Sequence, residues 1–71
     1  MEELIEKIAE ILEVESLDIT KKFTDYEEWD SLAGLSLLAM LDSDYNTTMS
    51  GKEILSFNTI ENFCKEIISR Q

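Results

Sequence analysis

The segment from Ser31 to about Asp42 holds more apolar side chains than a helix with a single buried face can use. A helix that packs one face on a core needs apolar residues only at three- and four-residue spacings. Here they point in too many directions: Leu32, Leu35, Leu37, Leu38, Met40 and Leu41. Because a 71-residue chain cannot readily enclose a helix on all sides, we predict a helix that begins at Asp30 or Ser31, with a second apolar face reserved for a partner.

The N-terminal part of the chain predicts an amphipathic helix followed by a long connection. From residue 2 to residue 14, apolar side chains recur at the spacing of one helix face. They are Leu4, Ile5, Ile8, Ile11 and Leu12. The connection from about 15 to 29 is long for so small a domain. Within it, Leu17, Ile19 and Phe23 are spaced like anchors that hold a polar loop against the core.

The C-terminal part predicts a short helix and a longer one. Ser50 and Glu53 have the spacing of a capping box, which predicts a short helix through Ile54 and Leu55. Asn58 and Glu61 repeat this start signal before a last helix over about 59 to 70. The side chains that this helix is predicted to bury are Ile60, Phe63, Cys64, Ile67 and Ile68.

Together these patterns predict an all-α fold, a small bundle of three main helices plus one short helix, with a long loop between helices 1 and 2. We expect residues 1–71 to form one domain. Because Cys64 is the only cysteine, no disulfide can form within the chain, which suits a reducing cytoplasm. We expect the Cys64 thiol to be buried and inert. The N-terminus has neither a basic region nor a long apolar run, so neither a signal peptide nor a membrane span is predicted.

The charge balance restricts the classes of partner and of function. Sixteen acidic against six basic residues give a formal net charge of −10, which repels nucleic acid and anionic membranes and attracts basic protein surfaces. Asp25, Glu27, Glu28 and Asp30 crowd the positions before Ser31. There is no histidine, the usual group for acid–base catalysis near neutral pH. We therefore predict that the chain is not an enzyme.

Ser31 has two interpretations. A serine at the start of a helix is most often an N-cap that accepts a hydrogen bond from a free backbone amide. The alternative is a hydroxyl to which a phosphate-linked group is attached, because a helix N-terminus favours a phosphodiester. The two are compatible if Asp30 caps the helix and Ser31 is modified.

The segment from 42 to 53 suggests a different function. Its oxygen-bearing side chains fall at positions 1, 3, 5, 7, 9 and 12 of an EF-hand calcium loop: Asp42, Asp44, Asn46, Thr48, Ser50 and Glu53. The sixth position, where the sharp turn needs glycine, is Thr47. A small calcium-binding or adaptor domain is therefore the alternative hypothesis, and we assign no metal site.

Asp30-Ser31-Leu32, at the predicted start of the second helix, resembles the attachment signature of acyl carrier proteins of the free-standing type. The resemblance extends over nearly the whole chain, from the first helix and the loop with Phe23 to a fourth helix opened by Asn58-Thr59-Ile60. It implies that a phosphopantetheinyl transferase moves 4′-phosphopantetheine from coenzyme A to Ser31. Acyl groups would then be carried as thioesters on its terminal thiol.

The resemblance also implies a contact surface. Asp30 flanks the attachment point, and Leu32, Leu35, Ser36 and Asp42 would contact partners: the transferase and acyl-transferring or acyl-modifying enzymes with basic patches. The expected state is a cytoplasmic monomer that binds neither nucleic acid nor membrane.

Four positions depart from the pattern of many carriers in bacterial fatty acid synthesis. Ala33, Gly34 and Ser36 stand where such carriers have acids, and Trp29 replaces a small residue before the aspartate. An interior glycine costs a helix about 1 kcal/mol relative to alanine, which is tolerated where close approach is useful. A specialised acyl or polyketide-type pathway is as compatible with these residues as fatty acid synthesis is.

Overall fold

A computed structural model describes all 71 residues of the chain, which forms four α-helices and no β-strand. The helices are α1 (Glu2–Leu12), α2 (Ser31–Tyr45), α3 (Gly51–Leu55) and α4 (Ile60–Ser69). The prediction of an all-α bundle with three main helices, one short helix and a long loop after the first is confirmed. None of these helices is long and apolar enough to cross a membrane.

Helix α1 ends two residues before the predicted boundary. Glu13 adopts a left-handed conformation with φ of 58°, and its N–H donates to the carbonyls of Ala9 and Glu10. This geometry satisfies carbonyls at the end of the helix and turns the chain away from the helix axis. The apolar residues predicted to face the core are buried or half-buried, as expected for an amphipathic helix.

The long loop is held to the core by the predicted anchors. Phe23 is buried, and Leu17 and Ile19 are half-buried. A short 3-10 turn over Phe23–Asp25, which the sequence analysis did not predict, positions the Phe23 ring 5.2 Å from the ring of Phe63 in an edge-to-face arrangement. Aromatic pairs prefer this geometry to face-to-face stacking.

Backbone hydrogen bonds join the same loop to the start of α4. The N–H groups of Ile60 and Glu61 donate to the carbonyls of Lys21 and Ile19, each at 2.8 Å. These donors belong to the first turn of a helix, where no acceptor is available within the helix itself. The loop therefore supplies the missing acceptors, and its position relative to α4 is fixed.

Side-chain caps begin the last two helices. Ser50 and Glu53 form the predicted capping box, with Glu53 N–H donating to Ser50 Oγ at 3.1 Å. At α4 the cap is Thr59, whose Oγ1 accepts from the N–H of Asn62 at 3.1 Å. The start signal predicted at Asn58 is therefore displaced by one residue.

Helix α2 continues to Tyr45, beyond the predicted end at about Asp42. Lys7 of α1 lies 2.8 Å from the Asp44 carboxylate and 5.3 Å from the centre of the Tyr45 ring. These contacts hold the extra turn against α1. Asn46 then ends the helix in a left-handed conformation with φ of 50°, which asparagine tolerates better than most residues.

A single core of thirteen buried residues is shared by all four helices and the loop. Its fully buried residues include Leu4, Ile8, Leu37, Ile54 and Phe63. In α4 the prediction fails at one position, because Ile68 is 38% exposed while the other four predicted residues are buried. Ile68 lies one residue after buried Ile67, so it turns about 100° away from the core.

Candidate functional site

The start of α2 separates the capping role from the hydroxyl of Ser31. Asp30 is the N-cap residue, and its Oδ1 accepts from the N–H of Ala33 at 2.8 Å. Ser31 is the first residue of the helix, is exposed, and does not serve as the cap. The compatible interpretation, with Asp30 as cap and the Ser31 hydroxyl left accessible, is the one that this geometry supports.

The backbone at this helix end offers donors to an anion. The N–H of Gly34 donates to the Asp30 carbonyl at 3.0 Å, and that of Ala33 donates to the Asp30 side chain. The N–H groups of Ser31 and Leu32, earlier in the same turn, have no acceptor within the protein. Two free amides and the positive end of the helix dipole therefore lie next to the Ser31 hydroxyl, an arrangement that fits a phosphate group.

The solvent-facing side of α2 is uncharged over most of its length. Leu32 is 73% exposed and Leu35 is 63% exposed, while Ala33, Leu37 and Leu41 are buried. The other exposed residues on this side are Ser36, Ala39, Asp42 and Ser43. The predicted second apolar face is therefore present, next to Ser31 and along the outer side of the helix.

The predicted contact residues lie at different distances from Ser31. Leu32, Leu35 and Ser36 belong to the first two turns of α2. Asp42 comes eleven residues after Ser31, which corresponds to roughly 16 Å along the helix axis. It is exposed, but a small group at Ser31 could not touch it.

Negative charge is concentrated before the helix. Asp25, Glu27, Glu28 and Asp30 are all exposed. None of them forms a salt bridge, since the four pairs in the structure involve Lys7, Lys65 and Arg70 with other carboxylates. Their charges are thus available to a basic partner, at one end of a surface that is uncharged over most of its length.

Two grooves flank the start of α2, and Asp30 lines both. One lies against the end of α1 and includes Leu12, Glu13, Glu28 and Leu32. The other, which we call the Trp29 groove, is mainly apolar. Its principal lining residues are Trp29, Ser31, Gly34, Leu35, Leu38 and Leu55.

Trp29 and Gly34 form a contact that the sequence analysis did not predict. The Trp29 ring lies 4.8 Å from the ring of Phe23 and is half-buried. A Cβ placed on Gly34 would lie 3.7 Å from Cζ2 of Trp29, at ordinary contact distance. In the sequence both residues are unusual, Gly34 as an interior glycine and Trp29 in place of a small residue, but nothing there indicates that they meet.

The EF-hand hypothesis is wrong. The first residues of the supposed loop, Asp42 to Tyr45, are helical. Asp44 is paired with Lys7, whose hydrogen bond lowers the pKa of the Asp44 carboxyl. Glu53 is held in the capping box of α3. The structure contains no group of three or more acidic or cysteine side chains placed to hold a metal ion.

The Cys64 thiol is isolated from the surface. Its side chain is fully buried in α4, and burial raises the pKa of the thiol to about 11. The predicted burial is confirmed, and because the thiolate is the reactive form, the raised pKa disfavours reaction at neutral pH.

Comparison with known proteins agrees with this geometry. No curated protein and no solved structure matches the chain significantly. A family described as "Phosphopantetheine attachment site" matches residues 2–67, which is nearly the whole chain. Members of this family carry a covalently attached 4′-phosphopantetheine and are acyl carriers without catalytic activity of their own. The chain therefore belongs to the phosphopantetheine-attachment family of carrier proteins.

Proposed function

We propose that Ser31 is the attachment point for 4′-phosphopantetheine and that the chain, one carrier domain over residues 1–71, holds acyl intermediates there as thioesters. The observation that carries this proposal is the exposed Ser31 hydroxyl beside two free backbone amides, with Asp30 already serving as the cap. Ser31 and Leu32 would hold the phosphate through their N–H groups. When bound, the group supplies a terminal thiol for thioester formation.

The chain needs little chemistry for this function. In the transfer, Ser31 Oγ forms a bond to a phosphorus of coenzyme A, and the bond from that phosphorus to the adenosine bisphosphate half breaks. That half leaves with the bonding electrons, and the Ser31 proton passes to a base of the transferase. The chain contributes an accessible hydroxyl, a helix end and a surface to be recognised.

The surface around Ser31 supports two kinds of contact. Leu32, Leu35 and Ser36 offer a weakly polar patch next to the hydroxyl, which suits the apolar centre of a protein interface. The acids before Ser31 would attract basic residues at the edge of a partner. Asp42 adds one charge at the far end of the same face.

These contacts fit a transferase and acyl-transferring or acyl-modifying enzymes with basic patches. The pathways that we propose are fatty acid synthesis or a specialised acyl or polyketide-type synthesis, served by a cytoplasmic monomer. The buried, unpaired Cys64 is compatible with a reducing compartment.

The test is to incubate the apo protein with coenzyme A, magnesium and a broad-specificity phosphopantetheinyl transferase and to measure the intact mass. We expect a gain of one phosphopantetheinyl group, and none for Ser31→Ala. Ser43→Ala is the matched control, since Ser43 is another exposed serine of α2 that lies outside the site. No gain in the wild type, or a gain that persists in Ser31→Ala, would contradict the proposal.

A further inference from the structure

The groove against the end of α1 has an apolar floor and an open apolar wall. This α1–α2 groove, as we call it, lies between the end of α1 and the first two turns of α2. Its apolar lining residues are Ile11, Leu12, Leu32 and Ala33. Leu12 and Ala33 are buried and form the floor, whereas Leu32 is 73% exposed. Leu32 therefore presents an apolar surface that no other part of the chain covers.

Three carboxylates line the same groove without a cation to balance them. Glu13, Glu28 and Asp30 are all exposed. The four salt bridges of the structure involve other carboxylates, and no basic residue lines the groove. Because like charges gathered at one place attract a cation strongly, the groove favours a positively charged group from outside the chain.

The backbone of Glu13 is strained. Glu13 has a φ of 58°, in the left-handed region that glycine adopts without steric cost and most other residues avoid. The other residue with a positive φ is Asn46, a type that tolerates this region. The Glu13 carboxylate makes no hydrogen bond or ion pair within the chain that would offset the strain, since the bonded carboxylates are others. Strain of this kind points to a role for the side chain.

The end of α1 adds acceptors to the groove. The carbonyls of Ala9 and Glu10 accept from the N–H of Glu13. Those of Ile11 and Leu12, which both line the groove, have no donor within the protein. The last turn of α1 also lacks a basic residue that would balance the negative end of the helix dipole. A group with several N–H donors and a positive charge would therefore satisfy both the carbonyls and the dipole.

A guanidinium group has this chemistry. It is always charged, presents five N–H donors in a plane, and is more weakly hydrated than the ammonium group of lysine. It binds carboxylates through paired hydrogen bonds, and its aliphatic stem packs on apolar surface, here on Leu32 and the groove floor.

We propose that the α1–α2 groove docks an arginine of a partner protein and that Glu13 is its principal acceptor. This inference rests on the partner contact proposed for the start of α2, which it extends to α1, and not on the attachment at Ser31. It also explains why glutamate occupies position 13, where the backbone favours glycine.

The experiment uses the apo protein and a short peptide as the probe. An acetylated tripeptide amide with arginine between two leucines is titrated at low salt and followed by amide NMR. A matched peptide contains citrulline, which has the shape of arginine but no charge. We expect saturable shifts at Glu13, Glu28 and Leu32. The citrulline peptide should bind about fivefold more weakly, the upper end of what an exposed ion pair contributes.

Variants separate the charge of Glu13 from its backbone. Glu13→Gln and Glu13→Gly should both weaken binding of the arginine peptide by up to about fivefold. Glu13→Gly should have the higher urea midpoint of the two, because glycine adopts the positive φ without steric cost. Glu6→Gln is the matched control, since it removes the same charge from an exposed position of α1 outside the groove, and it should leave binding unchanged.

Three results would overturn this inference. The first is equal binding of the arginine and citrulline peptides, and the second is unchanged binding in Glu13→Gln. The third is binding of methylguanidinium alone as tightly as the peptide, which would make the groove a site for small cations and not for a partner. Ser31→Ala should bind the peptide as the wild type does, so a missing mass gain overturns the proposed attachment and a failed titration overturns the docking of arginine.

Discussion

Replacing Asp30 separates the capping of α2, which the structure shows, from the attraction of a basic partner, which we propose for this residue. The N–H of Ala33 donates to Oδ1 of Asp30 at 2.8 Å, and Ala33 is only 6% exposed. In Asp30→Ala the amide loses its acceptor at a place where water replaces it poorly. Loss of an N-cap costs about 0.5–2 kcal/mol, and the burial of Ala33 puts the expected cost at about 1.5 kcal/mol. Asp30→Asn retains an acceptor oxygen and should lose less than about 0.5 kcal/mol.

These costs are large for a domain of this size. At about 0.05–0.15 kcal/mol per residue, 71 residues give a free energy of unfolding of roughly 4–10 kcal/mol. Since 1 kcal/mol shifts the melting temperature of a small domain by about 4–8 °C, Asp30→Ala should melt about 6–12 °C lower than the wild type. Urea denaturation followed by circular dichroism measures the same difference directly.

Thr59→Ala is the matched control, because it removes the N-cap of a different helix, α4. Its partner amide belongs to Asn62, which is exposed, so water compensates better and the expected cost is about 0.5–1 kcal/mol. An exposed ion pair contributes about 0.2–1 kcal/mol, so Asp30→Asn should slow phosphopantetheine transfer up to about fivefold. Thr59→Ala should not slow it.

Two results would refute this reasoning. If Asp30→Asn destabilises the protein as much as Asp30→Ala, the contribution of Asp30 is not that of a cap. If Thr59→Ala slows transfer as much as Asp30→Asn does, the effect comes from reduced stability and not from charge next to Ser31. Raising the salt concentration should shrink the rate difference between the wild type and Asp30→Asn, since screening weakens exposed charges.

Three further predictions concern the core and its links to the surface. Phe63→Ala should lower the free energy of unfolding by about 3–5 kcal/mol, measured as a large fall in the urea midpoint. A fall no larger than that of a variant at an exposed site would contradict the fully buried position of Phe63. Burial raises the pKa of Cys64 from 9.0 to about 11, so its contribution to stability is complete below pH 9 and is lost between pH 9 and 11 as the unfolded thiol ionises. Cys64→Ala should therefore reduce the fall in stability over this pH range, and an unchanged slope would contradict the prediction. The Lys7 hydrogen bond lowers the pKa of Asp44 from 3.8, so Asp44 contributes to stability above pH 3.8 and this contribution is lost as the pH falls further. Asp44→Asn should remove that part of the acid-induced loss of stability. If the loss persists in the variant, it comes from another carboxylate.

Most of the fold could be predicted because three helices follow rules that act within a short stretch of chain. In α1 and α4 the apolar residues repeat along one face, and the capping box of Ser50 and Glu53 identifies the start of α3 without reference to any other element. The length of α2 was not predictable in this way, because a distant residue decides it. Helix α2 continues to Tyr45 because Lys7 binds Asp44, 37 positions away along the chain. A contact between residues so far apart cannot be predicted from a local sequence pattern.

In the candidate site, too, the local features could be predicted from the sequence and the long-range contacts could not. Asp30, Ser31 and the leucines that follow could be selected from their order in the sequence, because capping and helix geometry are local. The Trp29 groove could not, because it depends on Leu55 of α3 and on the support of the Trp29 ring by Phe23. An interior glycine at position 34 suggests close approach, but its neighbour Trp29 is evident only in the structure.

The absence of a clear apolar face on α2 follows from the three surfaces that this helix must form. Residues at four-residue intervals, Ala33, Leu37 and Leu41, are buried, while Leu32 and Leu35 face solvent and Gly34 and Leu38 line the groove between these two sides. Each successive residue turns by about 100° around the helix, so the sides are distinguished by offsets of one or two residues. All three are apolar, and periodicity alone therefore cannot tell them apart. What distinguishes them is their position relative to Ser31, which borders the groove on one side and the exposed leucines on the other.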